Sequence, residues 1–267
     1  MKTAFRSSNP ALSSKSFGGF VGARAAGVGA GVGSPAALSA GAKPMTIQGT
    51  VDKTAILLAV VILTAIWPWK LFFDSRNPEL LLPWLGIGAI GGFVIALATI
   101  FKKTWAPVTA PIYAACEGLV LGSTSALFEM RYPGIVLQSV ALTFGVLGTL
   151  LVAYKTGALR ATPGFKRGVI AATGAIVLVY LGSFLLGLFG VNVGFMHSST
   201  PLGIGISLVV VVIAALNLVL DFDLIEQGAK LGAPKYMEWY GAFGLLVTLV
   251  WLYLEILRLL ARLNDRR

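Results

Sequence analysis

The chain has 267 residues, of which 57% are hydrophobic and only 12% are charged, and its mean hydropathy is +0.84. Soluble domains have about a quarter of their residues charged, so this composition predicts a membrane protein with the lipid bilayer as its partner. A single cysteine, Cys116, excludes an internal disulfide framework, and a single histidine, His197, leaves no cluster for zinc or haem. The net charge of +10 fits basic cytoplasmic loops, and we expect no nucleic acid partner.

The first 50 residues differ in kind from the rest of the chain. They are rich in Gly, Ala and Ser, and their charged residues are all basic, at Lys2, Arg6, Lys15, Arg24 and Lys43. Such a segment cannot bury enough apolar surface to fold. We predict a disordered basic tail over residues 1–50 and a membrane domain over residues 51–267. No apolar core of signal-peptide length follows Lys2, so the first span is expected to stay in the membrane.

Seven apolar runs approach the roughly 20 residues that cross a hydrocarbon core of about 30 Å. None alternates with a period of two, so helices are favoured over a β-barrel. Frequent glycines within the runs favour close helix packing. In chain order the runs are Thr54 to Phe73, Leu80 to Phe101, Val108 to Phe128, Pro133 to Tyr154, Val169 to Gly190, Pro201 to Leu220 (or to Gln227) and Tyr240 to Leu263.

The Lys and Arg residues between these runs predict the orientation. With a cytoplasmic amino terminus, the inner segments hold fourteen basic residues and the outer loops hold three, at Lys70, Arg76 and Arg131. The carboxyl terminus departs from this pattern, because seven spans place four arginines outside. Two explanations are open: the last element is re-entrant, or these charges are tolerated outside. The four residues are Arg258, Arg262, Arg266 and Arg267.

Asp221 is the ionisable residue that most needs an explanation, because it ends the sixth run. Charged groups at membrane depth cost about 2.5–3.5 kcal/mol on insertion scales, so those that occur there mark functional sites. At 100° per residue, Asn217 and Asp221 share a helix face, and Asn217 is a candidate hydrogen-bond partner. Asp223 points almost oppositely, and we expect it to reach the membrane interface.

Glu117 and Glu255 are the other acids within the predicted spans. Glu117 precedes Gly118, which fits a close helix crossing, where the role of the acid is either functional or a structural hydrogen bond. Glu255 lies three residues before Arg258, so an intrahelical ion pair is an alternative to a functional role. Neither a Gly-x-Ser-x-Gly motif nor a pair of histidines within a span occurs, so we expect no enzymatic activity.

Three segments resemble the Bax inhibitor-1 family of small polytopic membrane proteins. They are Glu117-Gly118-Leu119 in the third run, Leu220-Asp221 in the sixth, and Leu252-Tyr253-Leu254-Glu255-Ile256-Leu257-Arg258 in the seventh. The resemblance covers residues 50–263. Two further segments resemble the branch of this family found in high-GC Gram-positive bacteria, which implies a bacterial plasma membrane. They are Arg6-Ser7-Ser8-Asn9-Pro10 in the tail and Pro44-Met45-Thr46 through Val51-Asp52-Lys53-Thr54 before the first span.

The resemblance implies an all-α fold in which the seventh transmembrane helix is central and surrounded by the other six. It also implies a gate in which an aspartate of the sixth helix pairs with an aspartate of the seventh. Asp221 matches the sixth-helix position. Because two close carboxylates in a low dielectric cannot both ionise easily, such a pair would share a proton and control a calcium leak.

The seventh-helix partner has two candidates. One alignment places Glu255 opposite Asp221, and the other places Thr248 there, in which case Glu117 becomes the candidate second acid. We therefore predict a slow, pH-sensitive leak for calcium ions, with Asp221 and Glu255 as oxygen ligands and no resident cofactor. The alternative is a regulatory membrane protein that conducts nothing and binds other membrane proteins or a quality-control protease.

Overall fold

The computed structural model describes residues 44–189 and 200–266, so most of the predicted tail and His197 lie outside the described residues. Short 3-10 turns at Pro78–Leu81 and Lys103–Trp105 precede the second and third helices. The described ranges contain one isolated β-bridge, between Pro44 and Pro234, and no longer strand. The α-helices, in chain order, are α1 (Ile47–Ser75), α2 (Leu82–Phe101), α3 (Ala106–Arg131), α4 (Ile135–Lys155), α5 (Pro163–Leu188), α6 (Pro201–Lys230) and α7 (Met237–Asn264).

Several helices begin or end beyond the apolar runs that predict them. The start of α1 is fixed by Thr46, whose hydroxyl accepts a hydrogen bond from the Gly49 amide at 2.9 Å. Thr162 and Thr200 cap α5 and α6 in the same way, and each is followed by a proline at the first helical position. Hydropathy marks the part of a helix that lies in hydrocarbon, whereas these caps mark where the helix itself begins.

The described fold includes a few residues that precede the boundary predicted after residue 50. Residues 44–46 pack against the connection between α6 and α7, where the Met45 amide donates to the Ala233 carbonyl at 2.7 Å. Met45 is buried, and α1 begins at Ile47. Composition assigned these residues to the tail, but a contact with a segment almost 190 residues away incorporates them into the fold.

Six of the seven described helices are long and apolar enough to cross a membrane, which establishes a multi-pass membrane protein. The exception is α3, because Glu117 and the Ser123-Thr124-Ser125 run lower its hydropathy. A stripe of small residues at every fourth position is buried on α3. Gly118 and Gly122 of that stripe lie against α1 so closely that a β-carbon on Gly122 would stand 2.7 Å from Pro68 Cγ. The stripe comprises Ala110, Ala114, Gly118, Gly122 and Ala126.

The last helix, α7, is the central one. Its most apolar stretch is 67% buried, whereas the corresponding stretches of the other five membrane-crossing candidates are 12–44% buried. Helices α1, α3, α4 and α6 pack directly against it. Helix α5 reaches it through the Tyr180 hydroxyl, which donates to Glu255. The remaining helix, α2, packs on α3. The last helix is therefore the most buried of the six described membrane-crossing candidates.

Alternating connections divide the bundle into two ends. One end, the amino end, joins the start of α1 to the α6–α7 connection through the Met45–Ala233 contact. At the opposite end, the carboxyl end, Asp265 pairs with Arg131 at 3.3 Å. Helix α7 runs between them as one helix of 28 residues, which at 1.5 Å per residue is about 42 Å. This length is sufficient to cross a hydrocarbon core of about 30 Å.

We expect Gly122→Ala to destabilise the protein, because the added methyl group would meet Pro68 Cγ at 2.7 Å and the Ala65 Cα at 2.8 Å. Overpacking of this kind typically costs about 1–3 kcal/mol. The matched control is Gly148→Ala in α4, where the methyl group would meet nothing within 4 Å. Thermal unfolding in detergent, followed by size exclusion, measures both. Equal midpoints for the two variants would contradict the close α1–α3 crossing.

Candidate functional site

The candidate site lies in the seam between α6 and α7, where polar side chains meet inside the bundle. The Thr248 hydroxyl donates a hydrogen bond of 2.6 Å to Oδ2 of Asp221. Further toward the carboxyl end, Arg262 donates to the Ser207 hydroxyl and to the Gly203 carbonyl, the latter at 2.9 Å. Asp221 and Ser207 are fourteen residues apart on α6, as are Thr248 and Arg262 on α7, so both contacts belong to one antiparallel register.

In this register, small residues also occupy the other layers of the seam between α6 and α7. Midway between the two contacts it brings Ala214 opposite Glu255, and both residues are buried. One layer toward the amino end it brings Gly228 opposite Gly241, which are buried as well. Small residues on one side leave room for the larger polar side chain or backbone on the other. Helix α6 thus contributes a buried carboxylate, Asp221, to one layer of the seam. At the next layer its small Ala214 leaves space for a second carboxylate, Glu255 of α7.

Asp221 is fully buried, with 0% of its surface exposed. Asn217, one turn before it, is also buried, and its side-chain amide donates to the Thr173 hydroxyl of α5 at 2.8 Å. The shared face predicted for Asn217 and Asp221 therefore points into the bundle, where Thr248 and Thr173 approach it from two different helices. Asp221 and Thr248, which is 3% exposed, are therefore both shielded from the surface of the bundle.

Thr248 is the seventh-helix candidate for which the structure gives a hydrogen bond to Asp221. Glu255 lies two helical turns farther along α7, a displacement of about 10 Å along the axis. Its Oε1 accepts from Arg258 at 2.7 Å and from the Tyr180 hydroxyl at 2.9 Å. Trp251 is a further donor at 3.3 Å. The ion pair with Arg258 that the sequence left open is formed, and the two acids occupy different layers of the seam.

Asp223 faces away from the seam, as its helix position predicts. Its carboxylate pairs with Lys166 of α5 and accepts from the Gln227 amide. Lys166, Thr173 and Tyr180 are spaced by seven residues, so they form one stripe along α5. Each contacts a polar residue of α6 or α7, namely Asp223, Asn217 and Glu255. We call these three residues the α5 polar stripe.

Glu117 lies apart from the seam. It is half-buried on α3, and the buried Tyr113 lies one turn before it on the same helix. Its Oε1 stands 3.5 Å from the position of a β-carbon on Gly92, so the α2 glycines make room for it. The Tyr113 ring in turn packs edge-on against Phe243 of α7, with the ring centroids 4.9 Å apart. Glu117 therefore lies at the α2–α3 contact and outside the α6–α7 seam.

Sequence reasoning missed a polar cluster around Glu238, which is 0% exposed at the amino end of α7. Oε1 of Glu238 accepts from the Thr46 amide and hydroxyl, both at 2.9 Å, and from Lys235 at 2.7 Å. Oε2 lies 3.2 Å from Lys53 Nζ. Gly49 contacts the carboxylate directly, since a β-carbon there would overlap it. Of these contacts the sequence could have indicated the Thr46 cap, but not its carboxylate partner.

No three His, Cys, Asp or Glu side chains come together within residues 44–189 and 200–266 in a way that could hold a metal ion. Calcium sites in proteins use six to eight oxygen ligands. The seam offers the Asp221 carboxylate and the Thr248 hydroxyl at one layer and the Glu255 carboxylate at another. Any cation in this seam would therefore meet its oxygen ligands one layer at a time.

A bundle of membrane-crossing helices around a central helix, with a buried carboxylate in the central seam, defines the class: a multi-pass helical membrane protein with an intramembrane acid. A sequence model described as Bax inhibitor 1 like matches residues 8–265, which is nearly the whole chain. The chain therefore belongs to the Bax inhibitor 1 like family, as its motifs indicated. Comparisons with curated proteins and with solved structures give no significant match.

We expect Glu238→Gln to loosen the start of α1, because the neutral amide no longer pairs with Lys53 and Lys235. Losing charge-assisted hydrogen bonds in a buried site costs about 1–3 kcal/mol. Amide hydrogen exchange over residues 47–53 should accelerate. Asp52→Asn removes the same charge from an exposed residue at the same end, and it serves as the control. Exchange rates that rise equally in both variants would contradict an anchoring role for Glu238.

Proposed function

We propose that the protein is a slow, pH-sensitive leak for calcium ions, in which Asp221 is the gate and Thr248 is its partner in the closed state. The observation that supports this proposal most is the complete burial of Asp221 in the central seam, where it accepts a hydrogen bond from a neutral hydroxyl. Carboxylates at membrane depth that face the interior of a bundle mark ion or proton pathways. The protein is proposed to be non-enzymatic and to need no cofactor.

The neighbouring acids support a distinct role for Asp221. Asp223, Glu226, Glu238 and Glu255 each pair with a lysine or arginine side chain. Asp221 accepts a hydrogen bond from Thr248, which carries no charge. Protonation of Asp221 or an arriving cation can therefore compete with the Thr248 hydrogen bond. Opening requires the Thr248 hydrogen bond to exchange for one to water or for a cation contact.

The rest of the seam supports a slow leak rather than a fast channel. Beyond Asp221, a cation would pass the layer of Glu255 and then the layer of Arg262. Positive side chains that line a path create an electrostatic barrier to cations. Arg258 and Arg262 lie at the carboxyl end, so they oppose passage there even when the Asp221 layer is open.

We expect Asp221→Asn to lower calcium flux at least tenfold and to abolish its pH dependence, because an amide neither binds calcium as a charged ligand nor gains and loses a proton. Thr248→Val keeps the side-chain shape but removes the hydroxyl, so its flux should differ from wild type while its pH dependence remains. Full-length protein in liposomes that contain a calcium dye provides the measurement. Asp52→Asn, an exposed acid at the amino end, should leak like wild type.

Two results would decide against this mechanism. A calcium leak that Asp221→Asn leaves unchanged would show that the acid is only structural. Absence of flux at every pH in folded wild-type protein would favour the alternative, a regulatory protein that binds other membrane proteins or a quality-control protease. In that case co-purification of a membrane partner should depend on residues at the bundle surface and not on Asp221.

We further propose seven spans in a bacterial plasma membrane, with the amino end of the bundle in the cytoplasm. Support comes from the alternating connections and from the basic residues of the amino end, which include Lys53, Lys102, Lys155 and Arg167. The arginines of the carboxyl end are tolerated there because Arg258 binds Glu255 and Arg262 binds α6.

Single-cysteine variants test this topology in a Cys116→Ala background. A membrane-impermeant maleimide should label Asn77→Cys and Arg266→Cys in intact cells, since both exposed residues lie at the carboxyl end. Asp52→Cys should react only after the cells are permeabilised. Labelling of Arg266→Cys and Asp52→Cys from the same side would contradict an odd number of spans.

A further inference from the structure

A cleft separates α1 from α4 in the half of the bundle nearest the amino end. Helix α1 packs against α3 and α7, and α4 packs against α6 and α7, so the two helices stand on either side of α7. The cleft has a volume of about 940 Å³. Its walls include Ala55 and Leu58 of α1 and Leu147 and Leu151 of α4, and Leu249 of α7 contributes to its floor. A cavity of this size and lining is suited to an apolar ligand.

A second, largely apolar cavity adjoins the cleft. That cavity has a volume of about 400 Å³ and shares Leu58 and Leu249 with the first. It extends along α4 to Thr143 and Phe144. The rise from Lys155 down to Leu147 and Thr143 is about 12–18 Å, which is close to half the roughly 30 Å hydrocarbon core. The apolar groove is therefore as deep as one leaflet of the bilayer.

The mouth of the cleft is polar and carries an excess of positive charge. Lys155, Arg160 and Lys230 line it together with Asp223 and Glu226. Both acids are already neutralised, because Asp223 pairs with Lys166 and Glu226 pairs with Lys230. Among the described residues, Lys155 and Arg160 have no carboxylate within ion-pair distance. Both side chains are exposed at the rim, where they are available to a negatively charged group.

We propose that this cleft is a binding site for an anionic glycerophospholipid of the leaflet at the amino end. The acyl chains occupy the apolar groove between α1 and α4, and the headgroup phosphate binds Lys155 and Arg160. Thr162, which also lines the mouth, provides a hydroxyl group at headgroup depth, whereas the Tyr154 hydroxyl there donates to Glu226. Basic pockets between transmembrane helices on the cytoplasmic side bind anionic headgroups in this way.

The chemistry of the cleft selects this ligand over two others. A small soluble anion would use the basic rim but would leave the apolar groove empty. A zwitterionic lipid would fill the groove, but its headgroup carries no net charge for the two unpaired cations to bind. An anionic lipid satisfies both parts of the cleft at once, and a membrane supplies it at high local concentration.

Native mass spectrometry of delipidated full-length protein tests the proposal. Phosphatidylglycerol should give one tightly held adduct, and phosphatidylcholine with the same acyl chains should bind about 30-fold more weakly, as two cations near an anionic surface imply. The variant Lys155→Gln/Arg160→Gln should lose this preference. Lys102→Gln/Arg167→Gln removes the same charge from exposed positions at the same end and should retain it.

Ala55→Phe provides a second variant, because it fills the groove and leaves the basic rim intact. It should weaken both lipids, whereas the rim variant should weaken phosphatidylglycerol selectively. Three results would each overturn the proposal. The wild type could bind the two lipids equally, both charge variants could lose the preference equally, or inorganic phosphate alone could displace the lipid. Monodisperse elution confirms that each variant is folded. The assay involves no ion flux, so its outcome is independent of the proposed leak.

Discussion

The hydrogen bond between Thr248 and Asp221 is the interaction on which the arrangement of the bundle depends. A carboxylate with 0% exposure at membrane depth requires a donor, and Thr248 supplies one from the central helix. Once this contact is made, the register of α6 on α7 is determined over its whole length. It brings Ser207 to Arg262 two layers away, and it sets small residues opposite the larger ones between them. A change of register by one turn would leave both Asp221 and Arg262 without these partners.

Polar contacts determine the register because lipid tails are as apolar as leucine side chains. An apolar helix face therefore has little preference for another helix over lipid. Helix α5 illustrates the principle. Its most apolar stretch is only 12% buried, yet the α5 polar stripe attaches it to α6 and α7 at three layers. Helices α1 and α3 are instead held together by close backbone contact at the glycines of α3. The fold is thus a set of apolar helices whose positions are specified by few polar and small residues.

The sequence predicts much of this structure, and its failures have physical causes. Periodicity correctly placed Asp221 on an inward face and Asp223 on the opposite one, since helix faces are a local property. It could not choose between Thr248 and Glu255, because residues seven apart share a face, and only the register with α6 distinguishes them. Composition likewise could not reveal that Thr46 binds Glu238, a contact between segments 192 residues apart. Local patterns determine which residues face inward, whereas long-range register determines which of them meet.

A threonine opposite Asp221 changes what the proposed gate can sense. Two facing carboxylates share protons and titrate as a coupled pair with two macroscopic steps. In this protein the group that donates to Asp221 from the central helix is instead the Thr248 hydroxyl. The nearest acids along the seam and on the adjoining face are held in ion pairs, Glu255 with Arg258 and Asp223 with Lys166. Under the proposed function, the Thr248 hydroxyl therefore holds the carboxylate in place between openings, a contact that two facing carboxylates could make only by sharing a proton.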